Sequence, residues 1–243
     1  MSMADTTVLV LGEHALLLSS LADRIRDLGF RAIRAKTPQE ALDLATERGY
    51  RFDAVLIDAG VPALDLPAAL ANLRMRAGAQ GINFLATGVK PCAEECARLR
   101  EAGVLYALWE PVGNHAMRFQ LNRATTHDPG ASLREEQRVP TEWKTRVTVG
   151  GRPKPASVYS LSGGGAFLAT ARPSMRGAEM AVDLPLPGGT ISVLARVLYT
   201  NVPGNLARSH LPSGMGVRFI DTPMGDRRAI DHQVSEVAVH YLV

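Results

Sequence analysis

DAVLID, residues 53–58, decides the first half of the fold. Four apolar residues run without interruption between two aspartates, the pattern of a short strand covered on both faces rather than one alternating between core and water. Strands of that kind belong to parallel sheets flanked by helices. Upstream, VLVLG (8–12) is a second such run, and Ala15–Leu28 has apolar spacing suited to a helix ended by Gly29. RAIRA (31–35) follows as another strand, and Thr37 and Pro38 open the next helix as N-cap and first-turn proline. Downstream, Asp65–Arg76, NFLAT (83–87), Pro91–Glu101, LYALW (105–109) and Asn114–Thr125 continue the alternation. Five strands, each followed by a helix, predict an α/β domain over residues 1–125 with right-handed crossovers and flavodoxin-like strand order.

Beyond Thr125 the texture changes. THDPGAS (126–132) is polar and broken by Pro-Gly, so residues 126–133 read as a linker. TRVTV (145–149), SVYSL (157–161), AFLAT (166–170), EMAVDL (179–184), ISVLARVLYT (191–200) and GVRFI (216–220) are short β-like runs punctuated by Gly and Pro. They predict a small antiparallel barrel within residues 134–243. Asp226–Leu242 returns to helical spacing and is expected to pack on that barrel.

Composition narrows the class of protein. Hydrophobic residues are 46% and charged residues 21% of the 243, the balance of a globular chain. No apolar run reaches the roughly 18 residues a membrane span needs. The N-terminus lacks the basic and apolar regions of a signal peptide. Cys92 and Cys96, the only cysteines, stand four apart in a helical segment, which suits a reducing cytoplasm better than a disulfide framework. They are expected to be plain thiols, because two thiolates alone do not complete a zinc site. Residues 134–243 hold 13 Lys and Arg against 9 Asp and Glu, whereas 1–133 hold 14 against 15. The basic excess favours an anionic partner for the second half, but it is too small and scattered for duplex DNA. The six histidines are scattered singly, and no nucleophile–base spacing, metal cluster or phosphate-binding loop suggests an enzyme.

Asp58, followed four residues on by Pro62, makes residues 6–125 resemble response-regulator receiver domains, whose third strand ends in a phospho-acceptor aspartate. Three departures accompany that resemblance. The family's paired acidic residues after the first strand align with Gly12 and Glu13. The lysine of its Lys-Pro pair aligns with Glu110, before Pro111. Its Thr/Ser-Ala aligns with Ala86-Thr87, which moves the hydroxyl by one position. Aspartyl phosphorylation needs a cation held by several carboxylates and a positive charge near the phosphoryl group. Removing one carboxylate and substituting Glu110 for a cation turns attraction into repulsion. The expectation is a pseudo-receiver in which Asp58 is a vestigial acceptor.

Residues 134–222 resemble PilZ domains at three places: Arg134-Glu-Glu-Gln-Arg138, as the family's RxxxR; Ser160-Leu-Ser162-Gly-Gly-Gly165, as its [D/N]xSxxG; and Gly214-Met-Gly216-Val-Arg-Phe219, as the strand closing its barrel. The resemblance implies cyclic di-GMP as ligand, with Arg134, Arg138, Ser160, Ser162 and Gly165 as binding residues and no cofactor. An arginine fork meets guanine O6 and N7 or a phosphate bidentately and also stacks on a base. Ser160 stands where the family has Asp or Asn, and losing that acceptor costs about 1–3 kcal/mol.

The resulting expectation is a cytoplasmic, non-enzymatic signalling protein whose PilZ-like half binds cyclic di-GMP. The pseudo-receiver would serve as a protein-interaction surface in bacterial motility or related surface behaviour. The alternative is a ligand-independent adaptor with a degenerate PilZ-like barrel.

Overall fold

The apolar runs of the first half become a five-stranded parallel sheet. In the computed structural model, which describes residues 6–61, 66–76, 82–125, 136–203 and 211–243, its strands are β1 (Thr7–Leu11), β2 (Arg31–Ala35), β3 (Ala54–Asp58), β4 (Asn83–Gly88) and β5 (Tyr106–Trp109), in the order β2-β1-β3-β4-β5. Helices α1 (Ala15–Asp27), α2 (Pro38–Thr46), α3 (Leu66–Arg76), α4 (Ala93–Glu101) and α5 (Asn114–Thr125) cover both faces. Alternate strand residues serve opposite cores. Leu9, Leu11, Val55, Ile57 and Phe84 pack with Leu44, Leu70, Leu73 and Leu99 of α2, α3 and α4. Val8, Val10, Leu56 and Leu108 pack with Leu18, Ile25, Met117 and Leu121 of α1 and α5. Every residue of β1 and β3 is buried, as their unbroken apolar runs require. The Thr37 hydroxyl accepts from Glu40 N at 3.2 Å, and the Glu40 carboxylate accepts from Lys36 N at 2.7 Å, so α2 starts where its cap residues predict.

The order of strands reverses between β1 and β3. In a doubly wound sheet that reversal opens a crevice at the carboxyl ends of the strands. Gly12 and Asp58 stand at those ends.

The chain divides into two units, Met1–Ala131 with His240–Val243, and Ser132–Val239. Four residues expected to close the barrel domain therefore belong with the first unit. Leu242 bridges Tyr106 on the open edge of β5, and Val243 N donates to Leu105 O at 3.2 Å. Trp109 Nε1 donates to Leu242 O (3.2 Å), Gln120 Nε2 to Tyr241 O (3.2 Å) and Arg100 Nε to Val243 O (2.6 Å). A short antiparallel segment thus covers an edge strand whose N–H and C=O groups would otherwise remain unpaired.

The second unit is a closed antiparallel barrel. Its strands are β6 (Val139–Val149), β7 (Arg152–Ser162), β8 (Gly165–Ala169), β9 (Glu179–Leu186), β10 (Gly189–Asn201) and β11 (Gly214–Ile220), in the order β10-β11-β8-β7-β6-β9. Closure removes every sheet edge. Gly150 and Gly151, at φ 54° and 74°, make the tight turn between β6 and β7. The helix α6 (Met224–Ala238) follows the barrel and buries Ile230, Val234 and Ala238, spaced four apart, in its core cluster. β6 begins six residues earlier than its apolar run suggests, because Val139 and Pro140 pair with Leu161 and Ser160. The expected linker, 126–133, lies outside the described residues.

Candidate functional site

The turn between β7 and β8 is held from three directions. Ser162 and Gly165 face each other across it, and the Ser162 hydroxyl donates to Gly165 O at 3.2 Å. Phe219 N of β11 donates to Gly164 O at 2.8 Å. A Cβ on residue 165 would lie 2.3 Å from Val217 O, a backbone atom with no freedom to withdraw. Glycine at 165 is therefore demanded by the close approach of β11, whatever else the turn binds. Ser160 and Ser162 are 4% and 2% exposed.

The β6–β7 register brings the arginine-bearing segment to this turn. Arg138 immediately precedes Val139, which pairs with Leu161, and Ser162 immediately follows Leu161. In an antiparallel pair, Arg138 and Ser162 are thus the next positions across from one another. Arg138 is half-buried. Arg134 lies outside the described residues.

Three further residues, which the sequence motifs did not single out, complete the arrangement. Glu136, between the two arginines, accepts from Gly164 N at 2.5 Å through Oε2 and from Arg227 Nη2 at 2.5 Å through Oε1. Arg227 is in the first turn of α6, and its Nε donates to Asp231 Oδ2 at 3.1 Å, one helical turn on. Burial pushes the Glu136 carboxyl upward, but the hydrogen bonds from Arg227 and Gly164 N–H, with the charge of Arg227, outweigh it and hold the group below the usual glutamate range. The hydrogen bond to Glu136 is the main reason the Arg227 guanidinium is held above its ordinary value. The i,i+4 spacing of Arg227 and Asp231 is legible in the sequence. Their meeting with Glu136, 91 residues away, is not.

In the first unit, Asp58, Thr87, Gly88, Glu110 and Arg24 line one cleft of about 110 Å³, with Leu17, Leu18 and Leu21 on its apolar wall. Asp58 is 8% exposed and its Oδ1 accepts from Gly60 N at 3.0 Å. A Cβ on residue 12 would sit 2.9 Å from Asp58 Cβ, so Gly12 abuts the acceptor position directly. The sheet register pairs Asp58 with Thr87, so the hydroxyl at 87 stands beside the acceptor position. The Thr87 hydroxyl donates to Leu108 O at 3.3 Å. Glu110 lines the cleft and Gly12 abuts Asp58 beside it. Arg24 carries a positive charge there, but its guanidinium donates to Asn114 Oδ1 at 3.0–3.1 Å and to Val112 O at 2.7 Å.

Among the described residues no group of three or more His, Cys, Asp or Glu side chains is placed to hold a metal ion. No helix among them is long and apolar enough to cross a membrane. Cys92 is exposed at the start of α4, where its N–H donates to Glu95 Oε2 at 3.3 Å, and Cys96 is buried.

Residues 132–236 match the family model described as the PilZ domain, and the barrel unit is a PilZ domain. The N-terminal unit is a parallel sheet with helices on both faces, in the flavodoxin-like strand order. Two structures that match its region are the chemotaxis protein CheY4 of Vibrio cholerae, at 20% identity over 50% of this chain and 99% of that one, TM-score 0.44, and the receiver domain of a sensor histidine kinase from Pseudomonas aeruginosa with a magnesium ion in its active-site cleft, at 20% identity over 50% and 98%, TM-score 0.44. The Bacillus subtilis inhibitor of motility MotI/DgrA matches at 18% identity over 44% of this chain and 51% of that one, TM-score 0.37. No curated protein matches this chain.

Proposed function

We propose that the PilZ barrel is a receptor for cyclic di-GMP, and that the first unit is a pseudo-receiver presenting an interaction surface for a protein partner. In this reading the protein is a non-enzymatic cytoplasmic regulator of motility or related surface behaviour. The observation that carries it is the β6–β7 register, which sets Arg138 beside the Ser162–Gly165 turn. Arg134, four residues earlier on the same segment, supplies a second fork for guanine or phosphate. The anion-seeking character of the turn supports the same reading: its Gly164 N–H already holds a carboxylate.

Titration calorimetry with cyclic di-GMP tests the proposal. Saturable binding is expected, weakened at least tenfold by Arg134→Ala and by Arg138→Ala, since each removes charge-assisted hydrogen bonds worth about 1.5–3 kcal/mol. Absence of heat at about 100 µM ligand, a ceiling near −5.5 kcal/mol, would refute it. The burial of Ser160 favours the second reading, a ligand-independent adaptor, because its short hydroxyl lies at 4% exposure where the family presents a longer acceptor. Ser160→Asn discriminates between the two. A wild type that fails to bind while Ser160→Asn binds marks a former receptor. Aspartate is the poorer probe, since an ionised carboxylate at that depth must be desolvated.

A further inference from the structure

We propose that Arg227 is a phosphate-binding residue of the β7–β8 turn, and that Glu136 occupies the phosphate's place until the dinucleotide exchanges for it. The inference rests on the cyclic di-GMP reading above and deepens it.

The donor set is the starting point. A backbone N–H and a guanidinium converge on the two oxygens of one carboxylate, each at 2.5 Å. A phosphodiester offers the same recognition pattern: two equivalent oxygens sharing one negative charge on a single atom. The side chains close tightly on the turn: a Cβ on residue 164 would sit 2.7–3.1 Å from the Glu136 carboxyl, and one on residue 163 would overlap the Asp231 carboxylate and sit 2.7–2.9 Å from Arg227 Nη2 and Nε. The two glycines are thus what lets an anion and its guanidinium close down on the turn. Arg227 stays aimed without Glu136, because Asp231 on the same helix holds its Nε. Glu136 is the partner able to leave: its side chain is 41% exposed, on the segment just before β6, and the bonds that hold it come from Gly164 N–H, Arg227 and the Ser162 hydroxyl, the groups an incoming anion would meet.

The position of Glu136 gives the exchange a consequence. It stands between Arg134 and Arg138, so the carboxylate that leaves the turn releases the same segment whose arginines approach the ligand. The stand-in therefore sets affinity: binding must first break an ion pair that screening by solvent keeps weak. It also imposes selectivity for anionic ligands able to replace both contacts at once.

The test compares wild type, Arg227→Gln, Arg227→Lys and Glu136→Gln by calorimetry with cyclic di-GMP, alongside the Gly164 amide resonance. Arg227→Gln is expected to weaken binding about tenfold or more, and Arg227→Lys to fall between it and wild type, because it keeps the charge and loses the fork. Glu136→Gln is expected to tighten binding about 1.5- to 5-fold. The Gly164 amide should shift on ligand addition to wild type, and inorganic phosphate should shift it in Glu136→Gln more than in wild type, which separates the anion subsite from base recognition. Melting curves check that each variant is folded. If wild type binds and neither Arg227→Gln nor Glu136→Gln changes the affinity, the inference is wrong and the receptor reading stands. If Glu136→Gln weakens binding as much as Arg227→Gln, the ion pair is scaffolding and the inference fails. If wild type and Glu136→Gln both show no binding, the receptor reading falls and takes this one with it. Binding by Glu136→Gln alone supports the stand-in and makes the wild-type receptor latent.

Discussion

Restoring the missing carboxylate at Gly12 should damage the receiver-type unit rather than revive it. The new Cβ would lie 2.9 Å from Asp58 Cβ and 3.1 Å from Leu18 Cδ2, well inside the ordinary carbon contact of about 3.5–4.0 Å. Relieving such overlap in a packed site costs about 1–3 kcal/mol. A second carboxylate beside Asp58, itself 8% exposed, adds like-charge repulsion in a cleft already lined by Glu110. At a few ångströms that repulsion is about 1 kcal/mol in water and rises as water is excluded. Gly12→Asp should therefore destabilise the unit by about 2–4 kcal/mol and lower its melting temperature by roughly 5–12 °C for a chain of this size. Calorimetric melting with and without excess magnesium reads the shift, and mass spectrometry after incubation with acetyl phosphate reads the chemistry. Neither wild type nor Gly12→Asp should carry a phosphoryl group, because Glu110 puts a negative charge where the phosphoryl charge needs a cation. An unchanged melting temperature would refute the steric reasoning. Magnesium-dependent phosphorylation that disappears in Asp58→Asn would refute the pseudo-receiver.

Three other outcomes follow from the geometry. Glu136 is held below its ordinary value in the folded protein, so its contribution to stability is present above the unfolded glutamate value and lost as pH falls through the folded one; urea midpoints across the acid limb should show a loss of about 1 kcal/mol or less, as for an exposed pair, that vanishes in Glu136→Gln. Gly165→Ala drives a methyl group against Val217 O and should cost the barrel about 1–3 kcal/mol, seen as a lower urea midpoint; an unaltered midpoint would mean that β8 and β11 separate freely. Deleting Tyr241–Val243 strips acceptors from Gln120 Nε2, Trp109 Nε1 and Arg100 Nε and should speed amide exchange in β5, while Trp109→Phe alone should cost about 0.5–1.5 kcal/mol. Exchange rates in β5 that do not move would show that the segment adds nothing to the edge.

Both folds were legible in the sequence because their signals are local. Unbroken apolar runs such as DAVLID mark strands covered on both faces, and Thr37-Pro38 marks a helix start by the hydrogen bonds and φ angle those residues supply. Glycine and proline between short β-runs mark the turns of a barrel. The RxxxR and Ser-x-Ser-x-x-Gly patterns were equally readable, because the chemistry of an arginine fork and a tight turn resides within a few residues.

Tertiary structure alone decided the rest, since the deciding contacts join residues with no relation in sequence. Glu136 reads as one acid among several in a charged stretch; only the closed barrel brings it to Gly164 and to Arg227 on the final helix. Gly165 reads as a ligand-friendly turn residue, yet it is the nearness of Val217 O that forbids any other side chain. Thr87 reads as the hydroxyl after an apolar run, and only the β3–β4 register sets it directly opposite Asp58. His240–Leu242 read as the end of a helix until the open edge of β5, with its unpaired backbone groups, claimed them. Periodicity reports which face of an element is apolar; which element meets that face depends on how the whole chain closes its hydrogen bonds and excludes water.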